Sequence, residues 1–283
     1  RGVPVMIANG RISDRSYRGY RLVRPFMRSV LDCVRVFAMQ SDEDARRIIA
    51  LGAHPERVVV TGNIKNEPVP ESAGATDLWH RLLGFDAARR VWIAGSTHRG
   101  EEAMVLDAHA LALVACRDLA LVIAPRHPER AGEVLDLVAA RGWPAVRRSE
   151  LPRRRQRNAV IVLDTVGELA TLYGVADVVF VGGSLIPFGG HNMLEPALRR
   201  KPVLFGPHTT NFREAAALLE SAGAARVVRD GAALGLELAR LLGDRELRLK
   251  LGEAGHEAVA SRHGAVRETL DLVGQFLSPG AAA

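Results

Sequence analysis

The sequence predicts an α/β protein built on parallel sheets and divided into two parts by a linker. Three observations carry that prediction. Short, continuous apolar runs alternate with amphipathic segments along almost the whole chain, and the alternation breaks once, at a stretch rich in Pro, Ser and Gly. Over 283 residues, 48% hydrophobic and 25% charged content is a globular composition that excludes disordered or low-complexity chains. Strands that are apolar at every position are buried on both faces, as in parallel sheets whose crossover helices cover both sides.

Taken in order, residues 3–8 read as a buried strand rather than a signal peptide, because no basic segment precedes a longer apolar core. With Arg1 in first place, the chain is expected to begin inside a domain. After a loop and a helix, residues 34–39 form a second strand. Ser41 then caps a helix with an acidic first turn that stops at Leu51-Gly52, and residues 57–61 form a third strand. Pro68, Pro70, Ser72 and Gly74 mark a linker, which gives domains at 1–65 and 77–283 joined by 66–76. Beyond it, strands are expected at 91–94, 119–124, 159–163, 178–181 and 202–205, with helices at 101–115, 128–141, 166–173 and 211–222. Residues 240–277 read as helical, and 278–283 as a disordered tail. A sheet wound in this way takes its ligand at the carboxyl ends of its strands.

Thirty-eight Lys and Arg against 32 Asp and Glu leave a formal charge of +6, which suits an anionic partner. Cys33 and Cys116 make neither a disulfide framework nor a metal-ligand spacing, which points to a reducing cytoplasm. No apolar run reaches the roughly 18–20 residues of a membrane span. His98, His127 and His191 are dispersed without an H-x-x-H spacing, so no metal or cofactor is expected. Arg147, Arg148, Arg153, Arg154, Arg155 and Arg157 form a basic run without interleaved aromatics, which reads as a solvated loop rather than a nucleic-acid platform.

Three strand-to-helix loops are candidates for chemistry. The first is Gly95-Ser96-Thr97-His98-Arg99-Gly100-Glu101-Glu102, where Ser96 or Thr97 caps the following helix and the two acids fill its first turn. Capping leaves His98 and Arg99 unexplained. The second holds Arg126 and His127, and a planar guanidinium there forks onto a phosphate better than lysine does. The third, residues 182–196, is glycine-rich and places Gly189, Gly190, His191, Asn192 and Glu195 before a helix, where backbone amides can approach a phosphate. It lacks the spacing of a Walker A loop or of a dinucleotide fingerprint. Glu195 is placed either to hold ribose hydroxyls or to complement the helix dipole. Lys65 falls between the two domains, in reach of donor or acceptor.

Four ordered motifs, Gly62-Asn63-Ile64-Lys65, Gly95-Ser96-Thr97-His98-Arg99-Gly100-Glu101-Glu102, Pro125-Arg126-His127-Pro128-Glu129-Arg130 and Gly189-Gly190-His191-Asn192-Met193-Leu194-Glu195-Pro196, resemble the Kdo transferases of lipopolysaccharide synthesis. The resemblance implies a glycosyltransferase B fold of two Rossmann-like domains, of which this chain holds the donor domain and the end of the acceptor domain. It implies transfer of 3-deoxy-D-manno-octulosonic acid (Kdo) from CMP-Kdo to a lipid A precursor, at the cytoplasmic face of a bacterial inner membrane. Ser96 and His98 would touch the donor's phosphate or sugar carboxylate, Arg126 and the amides at 189–192 its phosphate, and Glu195 its ribose. The presumed general base and the membrane-associated segment would lie in an N-terminal part that this chain lacks, so the chain alone is expected to bind donor and transfer little. Two alternatives stay open, a UDP-sugar transferase or epimerase of the same fold and a non-catalytic basic anion-binding module.

Overall fold

The structure, a computed structural model, describes residues 3–64, 74–85, 89–153, 158–260 and 264–277. It divides into two compact units, residues 1–68 with 261–283, and residues 69–260.

The first unit carries three parallel strands in the order β1 (Met6–Gly10), β2 (Val36–Met39) and β3 (Val58–Val60). Between them run α1 (Asp14–Leu22), α2 (Arg24–Asp32) and α3 (Asp42–Leu51). Ser41 Oγ accepts from Asp44 N at the start of α3, and Gly52 closes it at φ 122°, as the sequence indicates. Phe37, Met39, Ile48 and Leu51 form the small core with Leu31 and Ile12. Buried Asp44 holds the loop after β1 by accepting from Ile12 N at 2.7 Å.

The second unit is a seven-stranded, all-parallel sheet. Helix α4 (Ala75–Leu83) precedes β4 (Arg90–Thr97), α5 (Glu101–Ala115), β5 (Leu119–Pro125), α6 (Ala131–Ala140), β6 (Ala145–Arg147) and β7 (Val160–Val162). There follow α7 (Leu169–Leu172), β8 (Val178–Val181), α8 (Leu194–Leu198), β9 (Val203–Phe205), α9 (Arg213–Ser221), β10 (Ala225–Val227), α10 (Gly231–Gly243) and α11 (Arg245–Ala260). The strand order is β10-β9-β8-β4-β5-β7-β6. The chain builds outward from β4 on one side and returns to lay β8 against the other, so the winding reverses between β4 and β8. Successive β4 residues feed opposite cores, Val91 and Ile93 one, Trp92 and Ala94 the other.

The other expected strands are present, but the one read as buried over residues 3–8 runs instead over Met6–Gly10, with residues 3–5 and Ala8 exposed and only Gly10 buried, because it lies at the edge of a three-stranded sheet. The structure adds the short edge strands β6 and β10 and the helix α4. The last helix, α12 (Ala265–Leu277), groups with the first unit, whereas the sequence reading carried the second domain to residue 283. Ala265 is buried there, and a methyl group on Gly62 would stand 3.4 Å from its Cβ. Residues 66–73 of the expected linker lie outside the described residues, and Ala75 and Thr76 already belong to α4.

Candidate donor-binding site

The carboxyl ends of β4, β5, β8 and β9 meet at the reversal point, and glycines let them come together. Gly182 N donates to the Gly95 carbonyl at 2.8 Å. A methyl group on Gly95 would lie 2.1 Å from Tyr173 Oη, and one on Gly206 2.1 Å from the Ser184 carbonyl oxygen. Both positions require a residue without Cβ. Ser184 Oγ donates to the Val181 carbonyl at 2.5 Å and accepts from Gly206 N at 2.8 Å, which staples β8 to β9.

The three candidate loops converge. His98 Nε2 lies 2.7 Å from His191 Nε2, with the two rings stacked nearly parallel. That separation needs one Nε2 protonated and the other bare, so the pair shares one proton. Burial, and then the charge of His127, push the His98 imidazole down from its ordinary range. Burial and the neighbouring His98, Arg126 and His127 push His191 down to about 4. His127 stands edge-on to His98, at 6.0 Å between centroids. Arg126 is exposed beside them, and its guanidinium has no hydrogen-bond partner among the described residues. Its amide donates to the Thr97 carbonyl at 2.9 Å, which fixes where the side chain leaves the sheet.

Ser96 adopts φ 55° and its hydroxyl makes no hydrogen bond among the described residues. Neither Ser96 nor Thr97 caps α5: the cap position is Gly100 in a left-handed conformation, and Thr97 Oγ1 donates instead to Glu102 Oε1 at 3.1 Å. Arg130 joins that carboxylate at 2.8 Å. Arg99, which capping left unexplained, forks onto Glu133 of α6 at 2.8 and 2.9 Å.

In the glycine-rich loop the amides of Gly189 and Gly190 are already committed, donating to the Gly183 carbonyl at 3.2 and 2.7 Å. Their contribution is conformational, at φ 111° and 77°. The amides that follow, at His191, Asn192 and Met193, donate to no backbone carbonyl among the described residues, and of the three only His191 and Asn192 are partly exposed. Asn192 Nδ2 donates to Glu195 Oε1 at 3.1 Å and its Oδ1 accepts from Leu194 N at 3.1 Å. Burial raises the Glu195 carboxyl against the lowering effect of Asn192, and Glu195 in turn adds to the burial that pushes the Tyr173 phenol up. Lys65, Arg154, Arg155 and Arg157 lie outside the described residues. Arg148 is held internally, by Glu168 at 2.6 Å and over the Trp79 ring at 5.0 Å. Among the described residues, no group of three or more His, Cys, Asp or Glu is arranged to hold a metal ion.

Sequence reasoning missed Glu101, Tyr173, Ser184 and Phe188. The exposed ring of Phe188 lies 3.8 Å from the His98 ring, centroid to centroid, and walls the site on one side.

Residues 1–67 match the family described as 3-deoxy-D-manno-octulosonic-acid transferase (kdotransferase). A 3-deoxy-D-manno-octulosonic acid transferase of Haemophilus influenzae is 36% identical over 98% of this chain. The chain is similar to the Kdo transferases over nearly its whole length. A second member, from Bordetella pertussis, is 34% identical over 98% of the chain. The chain spans 65% and 64% of the lengths of these two relatives. The C-terminal CMP-Kdo binding domain of WaaA from Acinetobacter baumannii is 29% identical, with a TM-score of 0.57 over 69% of this chain and 100% of that domain. Anabaena Alr3699/HepE in complex with UDP-glucose superposes over 96% of this chain and 71% of its own at a TM-score of 0.58 and 16% identity. That likeness supports the glycosyltransferase B type of fold alone.

Proposed function

We propose that this chain is part of a Kdo transferase and that its second unit binds CMP-Kdo, as the donor half of an enzyme that transfers Kdo to a lipid A precursor. The observation that carries this reading is the match to the CMP-Kdo binding domain of WaaA over that domain's whole length. The geometry agrees with it chemically. CMP-Kdo holds a single phosphodiester, so departure of CMP develops about one additional negative charge on phosphate. The unpartnered Arg126 guanidinium and the partly exposed amides of His191 and Asn192 are donors suited to such an oxyanion, and they need no metal. Glu195, steadied by Asn192, accepts from ribose hydroxyls, and Ser96 with the neutral His98 and His191 pair offers donors to the sugar carboxylate.

The first unit carries a feature suited to a lipid acceptor. Helix α1 buries no residue, and Leu22, Val23, Phe26 and Val30 are exposed along α1 and α2 beside Arg15, Arg18, Arg21, Arg24 and Arg28. Exposed apolar side chains flanked by cations are the composition of a surface that lies on anionic lipid. Among the described residues no helix is long and apolar enough to cross a membrane.

Calorimetric titration of the chain with CMP, UMP and UDP in EDTA tests the donor reading. CMP is expected to bind in preference, and Arg126→Ala to weaken it by on the order of 1.5–3 kcal/mol, the loss of a charged hydrogen bond. UDP binding at least tenfold tighter than CMP would favour a UDP-sugar enzyme. A steep salt slope with no nucleotide preference would favour the anion-binding module.

A further inference from the structure

Glu101 opens α5, where a carboxylate ordinarily complements the dipole of its own helix. Its surroundings here are different. The side chain is fully buried, and its two oxygens accept four backbone hydrogen bonds. Oε2 takes the amides of His98 at 3.0 Å and Gly183 at 2.7 Å. Oε1 takes those of Ser184 and Leu185, both at 3.0 Å. Three of the four donors thus sit on the loop after β8, more than eighty positions along the chain.

We propose that Glu101 is a positioning residue for donor binding, whose carboxylate sets the register between the His98 loop and the glycine-rich loop without itself touching the ligand. The inference rests on the donor-site reading above and deepens it. One oxygen holds the amides of both His98 and Gly183. The Gly183 carbonyl in turn accepts from Gly189 and Gly190, the turn that leads into His191 and Asn192. A continuous path of short bonds therefore runs from Glu101 through Gly183 to His191, while the direct bond to His98 fixes the other ring. The 2.7 Å approach of the two Nε2 atoms is the product of that path. A glutamine at this position offers one acceptor oxygen in place of two and points an NH2 group at amides that are themselves donors. Two or more buried N–H groups then lose their partner, and the loops can relieve this only by moving apart.

The test is Glu101→Gln with Glu101→Asp as the conservative variant, read by near-ultraviolet circular dichroism, by nitrogen-15 NMR titration of the histidine rings, and by calorimetry with CMP. In the wild type, His98 and His191 are expected to take up protons as a coupled pair, in two separated steps, with His127 and Arg126 alongside in every variant. In folded Glu101→Gln the two rings are expected to titrate independently and at higher pH, and the CMP dissociation constant to rise by about tenfold or more, a change of 1.4 kcal/mol per decade. Glu101→Asp, which keeps the charge, should restore part of both. A folded Glu101→Gln variant with wild-type histidine titrations would overturn the proposal. Should that variant fail to fold, native-state hydrogen exchange of the wild type decides: the amides of His98, Gly183, Ser184 and Leu185 must open together with one free energy, and separate opening of His98 refutes the link. If the wild type binds no CMP, the donor reading fails, while titration and exchange still judge Glu101.

Discussion

Acid should loosen the second unit through His109, a buried imidazole on α5. Trp92 Nε1 donates to His109 Nδ1 at 3.2 Å, and the Trp143 ring stands edge-on at 5.2 Å between centroids. The Nδ1 position must therefore be bare, and a proton placed there would face the indole N–H. Burial first, and then the charge of Arg89, push the imidazole down to about 4. The folded-state value lies below the roughly 6.5 of an unfolded chain, so the unfolded state binds more protons between these limits. The stability tied to neutral His109 is complete above about pH 6.5 and is lost as pH falls towards 4. From pH 7.5 to 5.0 the linkage relation gives a loss of about 2 kcal/mol from this group alone. Urea unfolding of wild type and His109→Gln at those two pH values measures it, since a Gln Oε1 can still accept from Trp92. The variant is expected to be less stable at pH 7.5 but to lose about 2 kcal/mol less than wild type on acidification. His191 shifts in the same direction, with partial solvent screening, and cancels because both proteins contain it. Equal acid losses in the two proteins would show that His109 does not titrate across this window.

Three other outcomes follow from the same geometry. Glu195→Ala should weaken CMP by about tenfold while changing the affinity for a 2′,3′-dideoxy analogue little, because only the former presents ribose hydroxyls; equal losses in calorimetry would remove Glu195 from the ribose. Gly206→Ala drives a methyl group into the Ser184 backbone, which Glu101 and the Ser184 hydroxyl hold from both sides. It should cost about 1–3 kcal/mol or more, seen as a lowered urea midpoint, and a neutral result would mean that the β8–β9 staple yields freely. The chain should co-sediment with vesicles containing anionic lipid and not with neutral ones. Leu22→Ser with Phe26→Ser should reduce that binding several-fold, and high salt should abolish it; binding indifferent to lipid charge would exclude the electrostatic part of the reading.

What the sequence made legible, and what it hid, divides along a physical line. The strands at 91–94, 119–124 and 178–181 announce themselves because every position of a central parallel strand is buried and hence apolar. Strands β6 and β10 have three residues each and carry Arg147 and Arg226, so neither length nor apolarity marks them. The pattern of α12 declares an amphipathic helix but not which unit it groups with. In the site, the residue types were readable loop by loop, and the topology then brought His98, Arg126 and His191 together at the reversal between β4 and β8. The hydrogen bonds were not readable. Gly189 and Gly190 looked like phosphate-binding amides, yet both donate to Gly183, because a backbone carbonyl leaves no signature in the residue type that bears it. Glu101 was hidden for the same reason. An acid in a helix's first turn has a sufficient local explanation in the dipole, and its partners are amides of Gly, Ser and Leu that any residue except Pro would supply. A side chain bonded to distant backbone can thus govern the geometry of a site while appearing, in sequence, as an ordinary helix start.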